Sequence, residues 1–181
     1  MKIYTFLADG FETVEALAVV DILRRGGHEV VTVSIKDTRE VMSAQKIPVI
    51  ADITFAEGDF GDGDAVFLPG GMPGTLNLEA HEGLSMILDS YAARGRYVAA
   101  ICAAPSILGH HNILDGKRAT CYPGFEKDLY GATCTGAGVE VDGKLVTGRG
   151  MGKAVEMGLT LLSLLSDEET ARKMAASIQA D

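Results

Sequence analysis

Short apolar runs rich in β-branched and aromatic residues alternate with segments of helical length along this chain. The runs are "KIYTFLA", "HEVVTVSI", "GDGDAVFLPGG" and "RYVAAI". The segment after the first run, "DGFETVEALAVVDILRRGG", has acidic residues in its first turn, arginines in its last turn and a glycine stop, as helices do. This alternation predicts an α/β fold in which helices cover both faces of a parallel sheet, the three-layer α/β/α sandwich.

Length and composition fit a single domain over residues 1–181. A chain of 181 residues with 47% hydrophobic content can build one substantial core and is too short to expect two. Near the end, the Asp-Gly pair of "VEVDGKLVTG" predicts a hairpin, and Pro48 suits a hairpin or a sheet edge. Residues 77–95 are predicted to be helical, and the last helix is predicted to open with a capping box from Ser166 to Glu169.

Charge and cysteine usage limit the partners and the compartment. The formal net charge is −9, and no Lys/Arg cluster offsets it, so nucleic acid is not expected as a partner. No window approaches the roughly 18 uncharged apolar residues of a membrane span, and acidic residues interrupt the N-terminus before a signal-peptide core, so neither a membrane nor export is expected. Three cysteines without a CxxC pair or a nearby histidine indicate reduced thiols in the cytoplasm and no metal site.

Cys102 lies between the apolar run "RYVAAI" and the helical segment "CAAPSILGHH". Free cysteine is often a small buried hydrophobe, so packing is one interpretation. The other is a nucleophile elbow, in which small neighbours such as Ala103 and Ala104 tolerate a strained turn and the next helix's amides lower the pKa of the thiol. Position alone leaves both open, whereas Cys121 and Cys134 lack this setting and are predicted to be structural.

Glu15 shares a helical stripe with Val19 and Ile22. A carboxylate on an apolar stripe is unfavourable unless it is protonated or hydrogen-bonded. If the stripe faces the sheet beside Cys102, burial would raise the pKa of Glu15 and let it shuttle a proton. The helix is apolar on several faces, however, so a solvated Glu15 is the alternative.

Two glycine-rich segments follow strands. In "LPGGMPGT", Gly70 and Gly71 permit close backbone approach and present bare amides, as an oxyanion hole requires. Neither this segment nor "TGRGMGKA" fits a phosphate loop, so no nucleotide, flavin or other cofactor is expected. Arg149 and Lys153 could attract an anion or could simply be solvated. None of the four histidines is placed by local spacing to contact Cys102.

The motifs "DGFETVEA", "LPGGMPG", "AAICAAPSIL" and "VTGRGMGKAVE", in this order, resemble the ThiJ/PfpI superfamily, in the branch of the parkinsonism-associated protein deglycase. The resemblance extends from Met1 nearly to the C-terminus. It implies a flavodoxin-like sandwich, similar to class I glutamine amidotransferases, and a homodimer. It also implies an elbow thiolate at Cys102 held by a protonated Glu15, with an oxyanion bound by the amides of Gly70, Gly71 and Ala103.

Two departures from the family pattern affect the functional hypotheses. Peptidase-like members have histidine directly after the nucleophile, where this chain has Ala103, and "LYGATCTGAG" lacks a histidine that deglycase-branch members often supply. The leading hypothesis is therefore a Cys102–Glu15 enzyme for reactive carbonyls such as methylglyoxal, or for glycated protein. The second is a non-enzymatic oxidative-stress sensor or redox-regulated chaperone acting through Cys102 oxidation. An intracellular peptidase or amidase ranks lower, and a nucleotide-binding domain ranks lowest.

Overall fold

The computed structural model describes residues 1–180 and contains a seven-stranded sheet with helices on both sides, which confirms the predicted α/β class. The strands are β1 (Lys2–Leu7), β2 (Glu29–Ser34), β3 (Glu40–Met42), β4 (Pro48–Ile50), β5 (Ile53–Thr54), β6 (Ala65–Leu68), β7 (Tyr97–Ile101), β8 (Arg118–Ala119), β9 (Thr133–Cys134), β10 (Val139–Asp142) and β11 (Leu145–Gly148). The α-helices are α1 (Thr13–Arg25), α2 (Gly74–Glu79), α3 (Glu82–Ala93), α4 (Pro105–His110), α5 (Ala154–Leu165) and α6 (Glu168–Ser177).

The order of strands in the large sheet brings β1, β6 and β7 side by side. The sheet runs β10-β11-β7-β6-β1-β2-β5, and every neighbouring pair is parallel except the hairpin of β10 and β11. The antiparallel hairpin at the edge is the one predicted from the Asp-Gly pair. Because parallel strands end at the same edge of a sheet, the loops after β1, β6 and β7 meet there.

Two apolar layers hold the helices on the sheet. On one face, side chains of α1 and α5 such as Val19, Ile22 and Leu161 pack with α6 against the strands. On the other face, α2, α3 and α4 are packed through residues such as Leu88 and Ile107. The buried strands carry apolar residues on both sides, as a sheet covered on both faces requires.

Two small ladders lie outside the large sheet. β3 and β4 form an antiparallel hairpin that begins its second strand with Pro48, as predicted. β8 and β9 form a parallel pair of two residues each.

The structure corrects two helix predictions. Residues 77–95 do not form one helix, because His81 is extended and its Nδ1 accepts the N–H of Leu84, which starts α3 anew. At the start of α6 the N-cap is Asp167 rather than Ser166: the Asp167 carboxylate accepts the N–H of Thr170 at 2.7 Å. Both corrections concern local side-chain caps. At the start of α6, Ser166 and Asp167 are both residue types that favour the N-cap, so the sequence alone does not decide between them.

Within residues 1–180, no helix is both long enough and apolar enough to cross a membrane.

Candidate active site

Backbone hydrogen bonds join the loops after β1 and β6, and another joins the residue after β7 to the end of β11. The N–H of Glu12 donates to the Gly70 carbonyl at 2.9 Å, and the N–H of Gly74 donates to the Gly10 carbonyl at 3.2 Å. On the other side, the N–H of Cys102 donates to the Gly148 carbonyl at 2.9 Å. The sheet therefore holds three parts close together: the start of α1, the loop after β6 that contains Gly70 and Gly71, and Cys102.

Cys102 has a left-handed backbone conformation, with φ of 66°. This conformation is unfavourable for a residue with a Cβ, by roughly 1–2 kcal/mol. It is held from both sides, because the Cys102 N–H is bonded to Gly148 and its carbonyl accepts the N–H of Tyr122 at 2.8 Å. Pro105 then occupies the first position of α4. The half-buried Cys102 side chain thus lies at a sharp strand-to-helix turn, the geometry of a nucleophile elbow.

Glu15 lies in the first turn of α1 and is fully buried. Its own N–H donates at 2.7 Å to the carboxylate of Glu12, which is the N-cap of the helix. Glu15 Oε2 accepts the N–H of Gly70 at 2.9 Å, while Oε1 is buried without a conventional hydrogen-bond partner. The Cys102 side chain also interacts directly with the Glu15 carboxyl group.

Gly70 lies between Glu15 and Cys102, and the space there is too small for a side chain. A Cβ at this position would lie 2.6 Å from the Cys102 Cβ and 2.8 Å from Glu15 Oε2. The sequence-based expectation that the Gly70 amide binds an oxyanion is not met here, because its single N–H is already donated to Glu15. Gly70 therefore positions the carboxyl group and lets the thiol approach it.

The other two amides expected in the oxyanion hole do face the sulfur. The backbone N–H groups of Ala103 and Gly71 hydrogen-bond to the Cys102 side chain and lower its pKa. Gly71 has φ of +92°, which glycine adopts freely and other residues rarely do. An oxygen bonded to the carbon attacked by this sulfur would lie near the same two donors.

Burial dominates the protonation of the pair. It raises the pKa of the Glu15 carboxyl to about 7, although its bonds with Cys102 and Gly70 lower it. It also raises the pKa of the Cys102 thiol to about 12, and the charge of Glu15 adds to this rise. The helix-start amides act in the direction that the sequence predicts, but burial and Glu15 outweigh them. Above a pH of about 7, Glu15 and Cys102 therefore share one proton.

Other residues considered from the sequence lie apart from this pair. His81 caps α3, His110 pairs with Glu79, and His111 pairs with Asp89. The fourth histidine, His28, contacts Ser166.

The two cations of "TGRGMGKA" are engaged elsewhere as well. The Arg149 guanidinium donates to the Gly136 carbonyl, and Lys153 pairs with Glu156. Within residues 1–180, no group of three or more His, Cys, Asp or Glu side chains is arranged to hold a metal ion.

Sequence reasoning missed Tyr122. Its N–H holds the Cys102 carbonyl, and its ring borders Gly150, where a Cβ would lie 3.2 Å from Tyr122 Cδ2. Tyr122 is distant from Cys102 in sequence and follows a two-residue strand, so no local pattern links them. The Tyr122 side chain is half-exposed.

A flavodoxin-like sandwich with a strained cysteine elbow and a buried carboxyl beside the sulfur defines the class: an α/β protein with a cysteine-centred site at the carboxyl edge of its sheet. The model of the DJ-1/PfpI family matches residues 1–164. The chain belongs to this family.

Relatives and solved structures agree with this assignment. The chain is 36% identical to protein DJ-1 homolog B of Arabidopsis thaliana over 179 residues, which are 98% of this chain but 41% of the plant protein. It is 35% identical over 153 residues to a Pyrococcus abyssi protein named a deglycase, covering 82% of this chain and 90% of that one. The structure of oxidized Toxoplasma gondii DJ-1 superposes with a TM-score of 0.93 at 33% identity, covering 98% of this chain and 97% of that one.

The buried Glu15 carboxyl makes a prediction about stability. Its folded pKa of about 7 exceeds the ordinary value of 4.5, so the unfolded chain releases this proton at lower pH and folding stability falls between pH 4.5 and 7. Glu15→Gln removes this loss. The quantity to compare is the free energy of unfolding of Glu15→Gln minus that of the wild type, measured by urea denaturation. We expect this difference to be more positive at pH 8 than at pH 4, by up to about 3 kcal/mol.

The comparison at pH 4 is the internal control, because Glu15 is then neutral in both the folded and the unfolded chain. A Glu15→Gln effect that is the same at pH 4 and pH 8 would contradict the raised pKa.

Proposed function

We propose that this chain is a cysteine-dependent enzyme that acts on small reactive carbonyls such as methylglyoxal, or on their early adducts with protein amines and thiols. The observation that carries the proposal is the half-buried Cys102 in a strained elbow, with the buried Glu15 beside it and two amides facing the sulfur. Nucleophile, proton carrier and oxyanion donors are the parts that addition to a carbonyl needs.

In the first step, the Cys102 sulfur adds to the aldehyde carbon while Glu15 accepts the thiol proton. This creates the thiolate only as the carbon–sulfur bond forms, which avoids a free thiolate in a site where burial disfavours one. The amides of Gly71 and Ala103 stabilise the oxyanion of the resulting hemithioacetal. Glu15 then holds the proton that the next step requires.

Conversion of this adduct into a hydroxyacid is an internal proton transfer followed by hydrolysis. With methylglyoxal, the proton on the hemithioacetal carbon is moved to the neighbouring carbonyl carbon, which turns the adduct into a thioester of lactate. Water then releases lactate and restores the thiol. We assign the proton relay to Glu15, because its carboxyl group interacts with Cys102 and has a pKa raised to about 7.

Similarity supports the carbonyl assignment only in outline. The Pyrococcus abyssi relative is named a deglycase, and the family model covers most of this chain. The chain spans 41% and 44% of the lengths of the two Arabidopsis relatives, so the activity of those longer proteins is not transferred to it. Three free thiols favour a reducing compartment such as the cytoplasm.

A second function is favoured by the same sulfur. The Toxoplasma DJ-1 structure is described as oxidized, and Cys102 is partly accessible beside a carboxyl oxygen without a conventional partner. A protonated Glu15 could donate to an oxygen of a Cys102 sulfinate. The chain would then be an oxidative-stress sensor or redox-regulated chaperone. A peptidase or amidase remains lower in rank, because Ala103 follows the nucleophile and no histidine is paired with it.

A homodimer is also proposed, from apolar side chains exposed on α1 and on the hairpin beside it. Val14 and Leu17 on α1 are 46% and 36% exposed, and Ile47 in the β3–β4 hairpin is 49% exposed. The hairpin is fixed beside α1, since Thr13 Oγ1 donates to Gln45 Oε1 at 2.9 Å. This α1–hairpin surface includes the helix that carries Glu15. We propose that a second copy of the chain binds to it.

The carbonyl proposal predicts the behaviour of two variants towards methylglyoxal. Cys102→Ala should abolish lactate formation, and Glu15→Gln should lower kcat by about 10²–10⁴-fold because the proton relay is lost. Activity of the wild type should rise as pH increases through about 7, where Glu15 becomes able to accept the thiol proton. Lactate production at a series of pH values measures all three effects.

Cys134→Ser is the matched control, because this exposed thiol lies outside the pair. Full lactate formation by Cys102→Ala would sink the enzyme proposal.

The sensor proposal predicts selective oxidation. After mild peroxide treatment, mass spectrometry should find Cys102 as a sulfinic acid while Cys121 and Cys134 carry no sulfinic acid. Glu15→Gln should reduce the lifetime of that form, because the amide is a weaker donor than a carboxylic acid. Equal oxidation of all three cysteines to sulfinic acid would count against a sensor.

The dimer proposal predicts that Leu17→Asp shifts the protein from dimer to monomer in sedimentation experiments, because a buried, unpaired carboxylate would oppose association. Met86→Asp is the control. Met86 is 73% exposed but lies on α3, on the other side of the sheet. A wild-type protein that sediments as a monomer would refute the proposal.

A further inference from the structure

The two cysteines outside the elbow are neighbours in the fold. In the parallel ladder of β8 and β9, Cys134 lies opposite Ala119. Cys121 is two residues beyond Ala119, just past the end of β8. The Cys121 and Cys134 side chains lie close enough to interact, and both thiols are free.

The two thiols differ in access. Cys134 is exposed, whereas Cys121 is only 3% exposed. Burial, followed by the nearby Cys134, raises the pKa of Cys121 to about 12. A dissolved oxidant therefore meets Cys134 first, while Cys121 is shielded from solvent but adjacent to the Cys134 sulfur. An accessible cysteine beside a shielded one is the arrangement in which the second resolves the oxidation of the first.

We propose that Cys121 and Cys134 form a reversible intramolecular disulfide when the protein meets hydrogen peroxide. The Cys134 sulfur attacks a peroxide oxygen, the O–O bond breaks, and a sulfenic acid and one water form. The Cys121 sulfur then attacks the Cys134 sulfur, the S–O bond breaks, and the hydroxyl leaves with the Cys121 proton as a second water. The peroxide gains two electrons, one from each cysteine, and a dithiol reductant reverses the change.

The local structure allows the sulfurs to adjust to a bond. β8 and β9 are two residues long, and the β9 residues are exposed, so few contacts oppose a small shift. The shift would be felt at the elbow, because Tyr122 directly follows Cys121 and its N–H holds the Cys102 carbonyl. The disulfide would thus join the surface ladder to the backbone that supports Cys102.

The test is a peptide map of the full-length protein after treatment with one equivalent of hydrogen peroxide and alkylation of the remaining thiols. Trypsin cuts after Lys127, which places Cys121 in peptide 119–127 and Cys134 in peptide 128–144. We expect these peptides to be linked without reductant, to separate on reduction, and to be linked to the same extent at different protein concentrations.

Two variants make the result decisive. Cys134→Ser replaces an exposed side chain and should remove the linkage without disturbing the fold. Cys102→Ser should retain it, so the outcome is independent of the proposed enzyme or sensor function. The proposal is overturned if Cys134 is oxidised while Cys121 is recovered alkylated and unlinked. It is equally overturned if the linkage grows with protein concentration, or if it requires Cys102.

Discussion

The contact of the buried Glu15 carboxyl with Gly70 and Cys102 determines how the three central loops must fold. A carboxyl group removed from water requires hydrogen bonds or a proton. One oxygen accepts a hydrogen bond from the Gly70 amide at 2.9 Å, and the other is buried without a hydrogen-bond partner. Only a glycine at position 70 allows this approach, because any Cβ would collide with both groups.

The strain at Cys102 is tolerated because the rest of the sheet fixes both of its backbone polar groups. The N–H is bonded to Gly148 at the end of the neighbouring strand, and the carbonyl is bonded to Tyr122 from a segment beyond α4. A strained residue persists only where its surroundings determine its conformation in several ways at once. The elbow is therefore a product of tertiary structure, although the small residues that permit it are local.

Sequence patterns predicted the layers of the fold, and they made Cys102 and Glu15 candidates that only the family resemblance joined into a pair. Apolar runs alternating with segments of helical length predicted the sheet and its helices, and the stripe of Glu15, Val19 and Ile22 identified a face that proves to be buried. The pattern could not predict which group accepts the hydrogen bond of the Gly70 amide, because the acceptor, Glu15, comes from a distant segment of the chain. The hydrogen bond between Tyr122 and Cys102 could not be predicted for the same reason, since it forms only when separate segments of the chain meet.

The pKa of Cys102 depends on groups distant in sequence more than on its immediate neighbours. A helix start lowers a thiol pKa, and the amides of Ala103 and Gly71 do act in that direction. Burial and the Glu15 carboxyl, contributed by a helix about 90 residues earlier in the chain, act more strongly in the other.

The reactive unit is consequently the pair, which holds one proton above a pH of about 7, and not the thiol alone. Because the same proton can stabilise an oxyanion, a sulfinate or the resting thiol, one arrangement of Glu15 and Cys102 supports both carbonyl chemistry and redox chemistry. Which of them dominates is decided by whether a carbonyl compound or an oxidant reaches the Cys102 sulfur.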